Sequence, residues 1–497
     1  MRTGYLRRIA GVAALVLLVC NARGAALAAG PRDVEALIGA MLGPTPVITD
    51  ARTLTDGIGG RPVGSAANRA AVAWAERTLQ AAGVTVRRER FEVPDPWLPG
   101  AVEVRLSGDL AFAPHAVAKP FSVAVDDRAA PVVDGGFGTQ EDFARLGAAA
   151  GGAWVLVETP VLDDAVGLAG LFREYDEAPG IESRGAAAGV AGMIFMSSRP
   201  RNLLFRHNAS MGAKNRLPLI VMEREPAQRI LRTLRAGGRV TAAVTIRTRT
   251  GGAVAAENVV AEIPGILEPD EVVLVGAHLD SHDLGTGALD NGANVAMLID
   301  MLRQIHRLGL RPRRTIRIAL FNAEEAGLYG SWGYVRRHAA ELDRHRLAAS
   351  IDIGTGAITG FYTGGRPALA ATVDRLLEPV AGLGPFTQID APLVGTDNFD
   401  FMMEGVPNLV ANQADANYAS NYHAESDTFD KIDQKQLKLN GAIVAALVWG
   451  FANADLDLER QSRAEIEALI AATDLAQQMR AFNVWDDWAA GRRGRRP

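Results

Sequence analysis

The chain has 497 residues, 48% of them hydrophobic and 22% charged, with a formal net charge of -5. That length exceeds one compact core, so two or three domains are expected, and the mildly acidic balance argues against a nucleic-acid partner. No apolar run after residue 29 is long enough to cross a membrane.

The first 29 residues read as an export leader: Arg2, Arg7 and Arg8 precede an apolar run from Ile9 to Cys20, and Ala26-Leu27-Ala28 supplies a small-x-small cleavage site. The expected location is therefore secreted or periplasmic. Val19 is a poor residue before a lipid-anchored cysteine, and Arg7-Arg8 lacks the rest of a twin-arginine signal, so the general export route is favoured. Cys20 is the only cysteine and leaves with the leader, which excludes disulfides and thiolate ligands from the mature chain.

Val34, Leu37, Ile38 and Met41 recur at helical spacing, and a second, Ala-rich helix is expected from Asn68 to Ala82, ended by Gly83. Arg61-Pro62-Val63-Gly64-Ser65 reads as a turn, and Val84 to Val93 as an antiparallel strand. From about 105 to 250 the composition shifts to Ala, Gly and Val, with short strands at Trp154–Val157, Met193–Met196 and Leu219–Val221 and helices at Glu182–Gly189 and Ala227–Ala236. No strand there ends in a His or acid cluster. This segment reads as structural, with capping of a cleft as the livelier alternative.

Chemistry gathers after residue 258. Asn258–Pro264 returns the chain to a sheet, and Val272–Val275 has the composition of a strand buried on both faces. It runs into His278-Leu279-Asp280, whose alternate residues point the same way, so that the Asp280 carboxylate is expected to take the free imidazole N–H of His278. Gly285, Gly287 and Gly292 let the loop fold back and bring Asp290 toward His278. Thr315–Phe321 is a second strand leading into Glu324-Glu325, and Ser350–Gly354 reads as a third, short strand carrying Asp352. His423 lies in the polar run Asn421–Thr428 before a closing core helix, Leu437–Phe451. Acids and histidines at strand ends are where open α/β sheets hold ligands. His282, His306, His338 and His345 read as surface or supporting residues. Residues 456–497 read as a charged helical tail ending Arg492-Arg493-Gly494-Arg495-Arg496, solvated and frayed, with anionic-surface binding as the sharper alternative.

The run His278–Asn291, the Glu324-Glu325 pair and the His423 loop occur in the order seen in the di-zinc exopeptidase family of leucyl aminopeptidase, glutamate carboxypeptidase and carboxypeptidase Q type, which this chain resembles over about residues 35–455. Leu279-Asp280-Ser281, Asp283, Gly285, Gly287-Ala288, Leu308–Pro312 and Gly395-Thr396-Asp397 bring it nearest to carboxypeptidase Q. The resemblance implies an α/β fold, a mostly parallel mixed sheet with helices on both faces. It divides the chain into a zinc peptidase domain (30–104 and 251–455), an inserted protease-associated domain (105–250) and the tail (456–497). It implies two Zn2+, one held by His278, Asp290 and Asp352 and the other by Asp290, Glu325 and His423, Asp290 being shared because five ligands cannot otherwise close two tetrahedral shells. Glu324 is the implied general base acting on a water that both ions acidify, Asp280 supports the site, and Tyr422 and Asp397 are candidates for contact with oxyanion or substrate amine.

The departures are Asn291 in place of a second Asp, Ala293-Asn294 in place of a small pair at the helix entry, and His282 in place of an aromatic residue. The implied substrate is a dipeptide or short peptide, and the resemblance points to a homodimer. A silent binding relative would have lost ligands, and none is lost. A cyclotransferase or amidohydrolase on non-peptide amides is the third class; amino-, carboxy- or dipeptidase specificity stays open.

Overall fold

The computed structural model describes residues 31–165, 167–206 and 210–496, and the leader expected at 1–29 lies outside them. After β1 (Thr85–Val93) the chain builds a second sheet from β2 (Val102–Gly108), β3 (Ala116–Ala118), β4 (Val125–Asp134), β5 (Trp154–Val157), β6 (Gly192–Met196), β7 (Leu219–Met222) and β8 (Val240–Ile246). It returns as β9 (Val254–Ile263), β10 (Glu268–His278), β11 (Arg314–Phe321), β12 (His345–Ser350), β13 (Ile358–Tyr362) and β14 (Asn408–Gln413). The first sheet has the order β1-β9-β11-β10-β12-β14-β13 and the second β2-β8-β4-β5-β6-β7-β3.

In the first sheet β11, β10, β12 and β14 run parallel, flanked by antiparallel β9 and β1 at one edge and β13 at the other. Alternation explains the unbroken apolar run of β10: Val273 and Val275 enter one core, Val272 and Leu274 the other. Helices α1 (Pro31–Leu42), α2 (Ala66–Ala81) and α3 (Ala293–Arg307) cover the first face, α4 (Tyr329–Arg337) and α5 (Asn398–Met403) the second, and α6 (Gln434–Asn453) returns to the first. Ser65 and Asp433 cap α2 and α6 by accepting backbone N–H bonds. This is the mixed α/β sheet with helices on both faces that the sequence predicts.

Two elements outside the site differ from expectation. The helix expected at 182–189 spans Gly167–Ala187, with Pro179 inside it; Pro179 and Gly180 break the sequence signal, and packing carries the helix through them. The C-terminal tail is not a frayed end. Its short helices α7 (Arg463–Ala472), α8 (Leu475–Ala481) and α9 (Trp485–Ala489) bury Ile466, Ile470, Leu475, Met479, Val484 and Trp488 against Val394, Phe399, Met402 and Met403. Arg493 is 2% exposed and forms a bidentate pair with buried Asp400, both bonds 2.7 Å. Its guanidinium also donates to the carbonyls of Gly327 (3.3 Å) and Leu328 (3.2 Å) and lies over the rings of Trp332 and Phe399.

Arg493→Ala strands the Asp400 carboxylate in the core and is expected to cost about 3–5 kcal/mol. Chemical denaturation of the variant checks this, and a loss below about 1 kcal/mol would show that the tail docks by apolar contact alone.

Candidate metal centre

The carboxyl ends of the four parallel strands of the first sheet supply the site. His278 is the last residue of β10, Glu324 and Glu325 follow β11, Asp352 follows β12, and the chain reaches His423 after β14. Asp290 sits in the short turn Ala288–Gly292 that enters α3, where Gly287 takes a left-handed conformation at φ 60°. A β-carbon on Gly287 would meet the Ser281 side chain at 2.4 Å, so the turn needs glycine.

Asp290 stands between two histidines. Its Oδ1 lies 2.9 Å from His278 Nε2 and its Oδ2 lies 3.0 Å from His423 Nε2. His278 Nε2 is also 3.3 Å from Asp352 Oδ1, and His423 Nε2 is 3.3 Å from Glu325 Oε2. Ligands at 2.0–2.2 Å from a tetrahedral zinc are separated by about 3.3 Å or slightly more, so these spacings suit a shared cation. Three groups have ligand atoms within 4.8 Å of one another: His278, Asp290 and Asp352; His282, Glu325 and His423; and His278, Glu324 and Glu325.

The charge balance points the same way. Burial pushes the carboxyls of Glu324 and Glu325 up, Glu324 far above its usual range and Glu325 to about 7, and neighbouring acids add to both. Burial opposes protonation of His278, yet Asp352, Asp290 and Glu324 outweigh it and hold its imidazole well above the usual value. Asp352 Oδ1 is buried, and the His278 imidazole at 3.3 Å is the group set against it. Such a cluster is stabilised by positive charge brought in from outside, and its imidazole and carboxylate donors suit zinc.

The supporting bonds differ from the expected His–Asp pair. His278 Nδ1 meets the backbone carbonyl of Asp280 at 3.1 Å, while the Asp280 carboxylate is 3.8 Å from that nitrogen. The carboxylate instead accepts the N–H groups of Glu324 (3.1 Å) and Glu325 (3.2 Å) and so fixes the loop that carries them. On that loop Asn322 exchanges two side-chain bonds with Asn68, at 2.8 and 3.1 Å.

Asp427 accepts from the N–H of Leu289 (2.7 Å) and Asp290 (3.2 Å). Asn291 Nδ2 donates to the Ile351 carbonyl at 2.9 Å and Asn294 Nδ2 to that of Ile353, so these two departures from the family pattern bind the Asp352 loop to the Asp290 turn. Arg61, in the segment read as a plain turn, is fully buried; its guanidinium clamps the carbonyls of Leu279 (2.6 Å), Thr286 (2.7 Å) and Gly287 (3.0 Å).

His282, expected to stay clear of the ligands, joins the cluster: its Nε2 lies 2.9 Å from Glu325 Oε2 and its ring packs on His423 at 4.2 Å. Burial pulls its imidazole down to about 4, which leaves it neutral and able to bind a cation. His306 is exposed, and His338 and His345 bond Glu89 and Tyr334, each at 3.0 Å, away from the centre. The Tyr422 ring stacks on His423 at 3.6 Å and its hydroxyl lies 3.3 Å from that of Tyr175. Asp397 is 1% exposed, burial pushing its carboxyl up to about 8; it is not among the residues lining the adjoining cavity. Strand β12 ends at Ser350, so Asp352 sits in the loop beyond it.

A cavity of about 600 Å³ opens on Asp280, His282, Glu324, Glu325 and Tyr422. The second sheet's unit reaches the same place. Arg206 N donates to the His423 carbonyl (3.0 Å) and its guanidinium holds Asp283 (2.5 Å), while Arg199 donates to the Tyr422 carbonyl (3.3 Å).

Residues 258–448 match peptidase family M28, which bears out the resemblance drawn from the motifs. Carboxypeptidase Q of Mus musculus is 33% identical over 248 residues, 49% of this chain and 52% of that protein. Leupeptin-inactivating enzyme 1 of Streptomyces exfoliatus is 28% identical over 225 residues, 41% of this chain and 50% of that protein. The matches thus span about half the length of these relatives. A peptidase M28 precursor from Shewanella amazonensis superposes with a TM-score of 0.78 at 27% identity, covering 86% of this chain and 97% of that one. A zinc aminopeptidase of Bacillus subtilis shares the fold, with a TM-score of 0.62 at 20% identity over 81% of this chain and 93% of that one.

Replacing Arg61 by Lys keeps a charge but loses the fork that holds three carbonyls. Zinc affinity of the chelator-treated protein, measured by titration calorimetry, is expected to fall about 10–100-fold; unchanged affinity would show that the loop stands without the guanidinium.

Proposed function

We propose that the chain is a zinc-dependent exopeptidase that hydrolyses dipeptides or short peptides, and that it works outside the cytoplasm after removal of residues 1–29. The observation that carries this reading is Asp290, each carboxylate oxygen of which faces a different histidine, at 2.9 and 3.0 Å. His278, Asp290 and Asp352 would hold one zinc, and Asp290, Glu325 and His423 a second, with His282 beside the latter. The M28 match and the carboxypeptidase among its relatives support peptide hydrolysis.

When bound, the two ions supply Lewis acidity toward the scissile carbonyl and bring the pKa of water near neutrality. The chain's own residues do the rest. Glu324, which lines the cavity, takes the proton of the attacking water on its carboxylate and passes it to the leaving amine. Asp280 keeps Glu324 in place through the backbone bonds to residues 324 and 325. Tyr422, stacked on His423 at the cavity wall, donates to the carbonyl oxygen as it gains charge. The protein around residues 105–250 would act as a protease-associated cap over the cleft.

Glu324→Gln is expected to retain its zinc yet lose about 1,000-fold in turnover; an active variant overturns the base assignment. Asp290→Ala should lose both ions by metal analysis, and retention of two would refute the shared ligand. Substrate class is tested with one dipeptide offered free, N-acetylated and C-amidated to the zinc-loaded protein. Cleavage of the free form alone marks a dipeptidase, tolerance of the amide alone an aminopeptidase, and tolerance of the acetyl form alone a carboxypeptidase. Cleavage of none with zinc bound would redirect the search to other amides.

A further inference from the structure

The segment from Leu475 to Trp488 crosses from one sheet's unit to the other over the cavity. One side is anchored in the first unit through Leu475, Met479, Val484 and Trp488. The other side meets the second unit. Phe482 stacks on Tyr175 with ring centroids 4.4 Å apart and an interplanar angle of 16°. Asn483 Nδ2 donates to the Ser210 carbonyl (3.2 Å), Asp486 pairs with Lys214 (2.8 Å) and Gln477 donates to Asp176 (3.3 Å). Phe482 and Trp485 line the same cavity as Glu324 and Tyr422, so the segment forms a wall of the site.

The dimensions give that wall a consequence. A cavity of about 600 Å³ is roughly 8 Å across if equant. An extended peptide needs about 3.4 Å per residue, so two or three residues fit, whereas five would span about 17 Å and, running toward the segment, would meet the wall.

We propose that the 475–488 segment sets the length of the substrate, with Phe482 and Trp485 as the specificity-determining residues that exclude chains longer than a tripeptide. The proposal rests on the peptidase reading and sharpens it. It also gives the C-terminal helices a task distinct from the cation ligands, all of which lie outside the segment. Arg480, whose guanidinium lies 4.2 Å over the Trp485 ring, holds that indole in place.

The test measures kcat/KM of the zinc-loaded full chain on free peptides of two, three and five alanines. The wild-type protein is expected to cleave the pentapeptide at least 10-fold less efficiently than the tripeptide. The double variant Phe482→Ala/Trp485→Ala is expected to raise the pentapeptide-to-dipeptide ratio about 10-fold.

A second variant, Trp485→Leu, keeps an apolar side chain on the segment while lowering the wall, and it should raise the same ratio several-fold. A wild-type protein indifferent to length, or a ratio unmoved in the folded variants, overturns the proposal while the peptidase reading stands. Should the double variant fail to fold, an unmoved ratio in Trp485→Leu decides against it. If the wild-type protein cleaves none of the three, both readings fall.

Discussion

Five acids, Asp280, Asp290, Glu324, Glu325 and Asp352, converge on a space about the size of a small ligand, and most of the bonds around it serve to make that tolerable. Burial resists ionisation and neighbouring acids add to it, so the carboxyls of Glu324 and Glu325 are raised. The protein answers in two ways. Backbone N–H groups and asparagines take up oxygens that face inward from the loops, and two histidines are set against Asp290. The remainder calls for cations, which makes metal affinity a property of the fold as much as of any single ligand.

The strands could be read because each is mostly apolar and the chain turns polar at or just beyond its end. Val272–His278 and Thr315–Phe321 with Glu324-Glu325 are the clearest cases, and the structure puts their ends side by side. The apolar Ile351 and Ile353 make the strand read on to Asp352, whereas it ends at Ser350 and the two isoleucines go on into the core.

His282 lies in a polar loop with no periodicity to mark it, and only the folded loop turns it toward Glu325. Arg61 carried no usable signal: it bonds carbonyls 218 to 226 positions away. The tail did carry one. Its buried residues recur at 466, 470, 475, 479, 484 and 488, a helical stripe that the surrounding charges concealed.

The second sheet's unit is tied to the centre by side chains and by backbone alike. Arg206 and Arg199 hold the carbonyls of His423 and Tyr422, and a short bridge pairs Phe205 with Ala424. A loop that carries a candidate ligand is thereby shaped by residues more than 200 positions earlier, so motion between the two units would be felt first at His423. The tail spans both units as well and adds a second tie between them.

Strand β1 pairs with β9 along its whole length, and Val93 faces Val254 at the point where the chain departs and comes back. The 160-residue excursion thus begins and ends at hairpin distance. A tight turn joining those two valines would leave every register in the first sheet as it is. The fold is therefore modular in its connectivity: this junction accepts anything from a short turn to an entire domain, and the sheet itself places no demand on which is there.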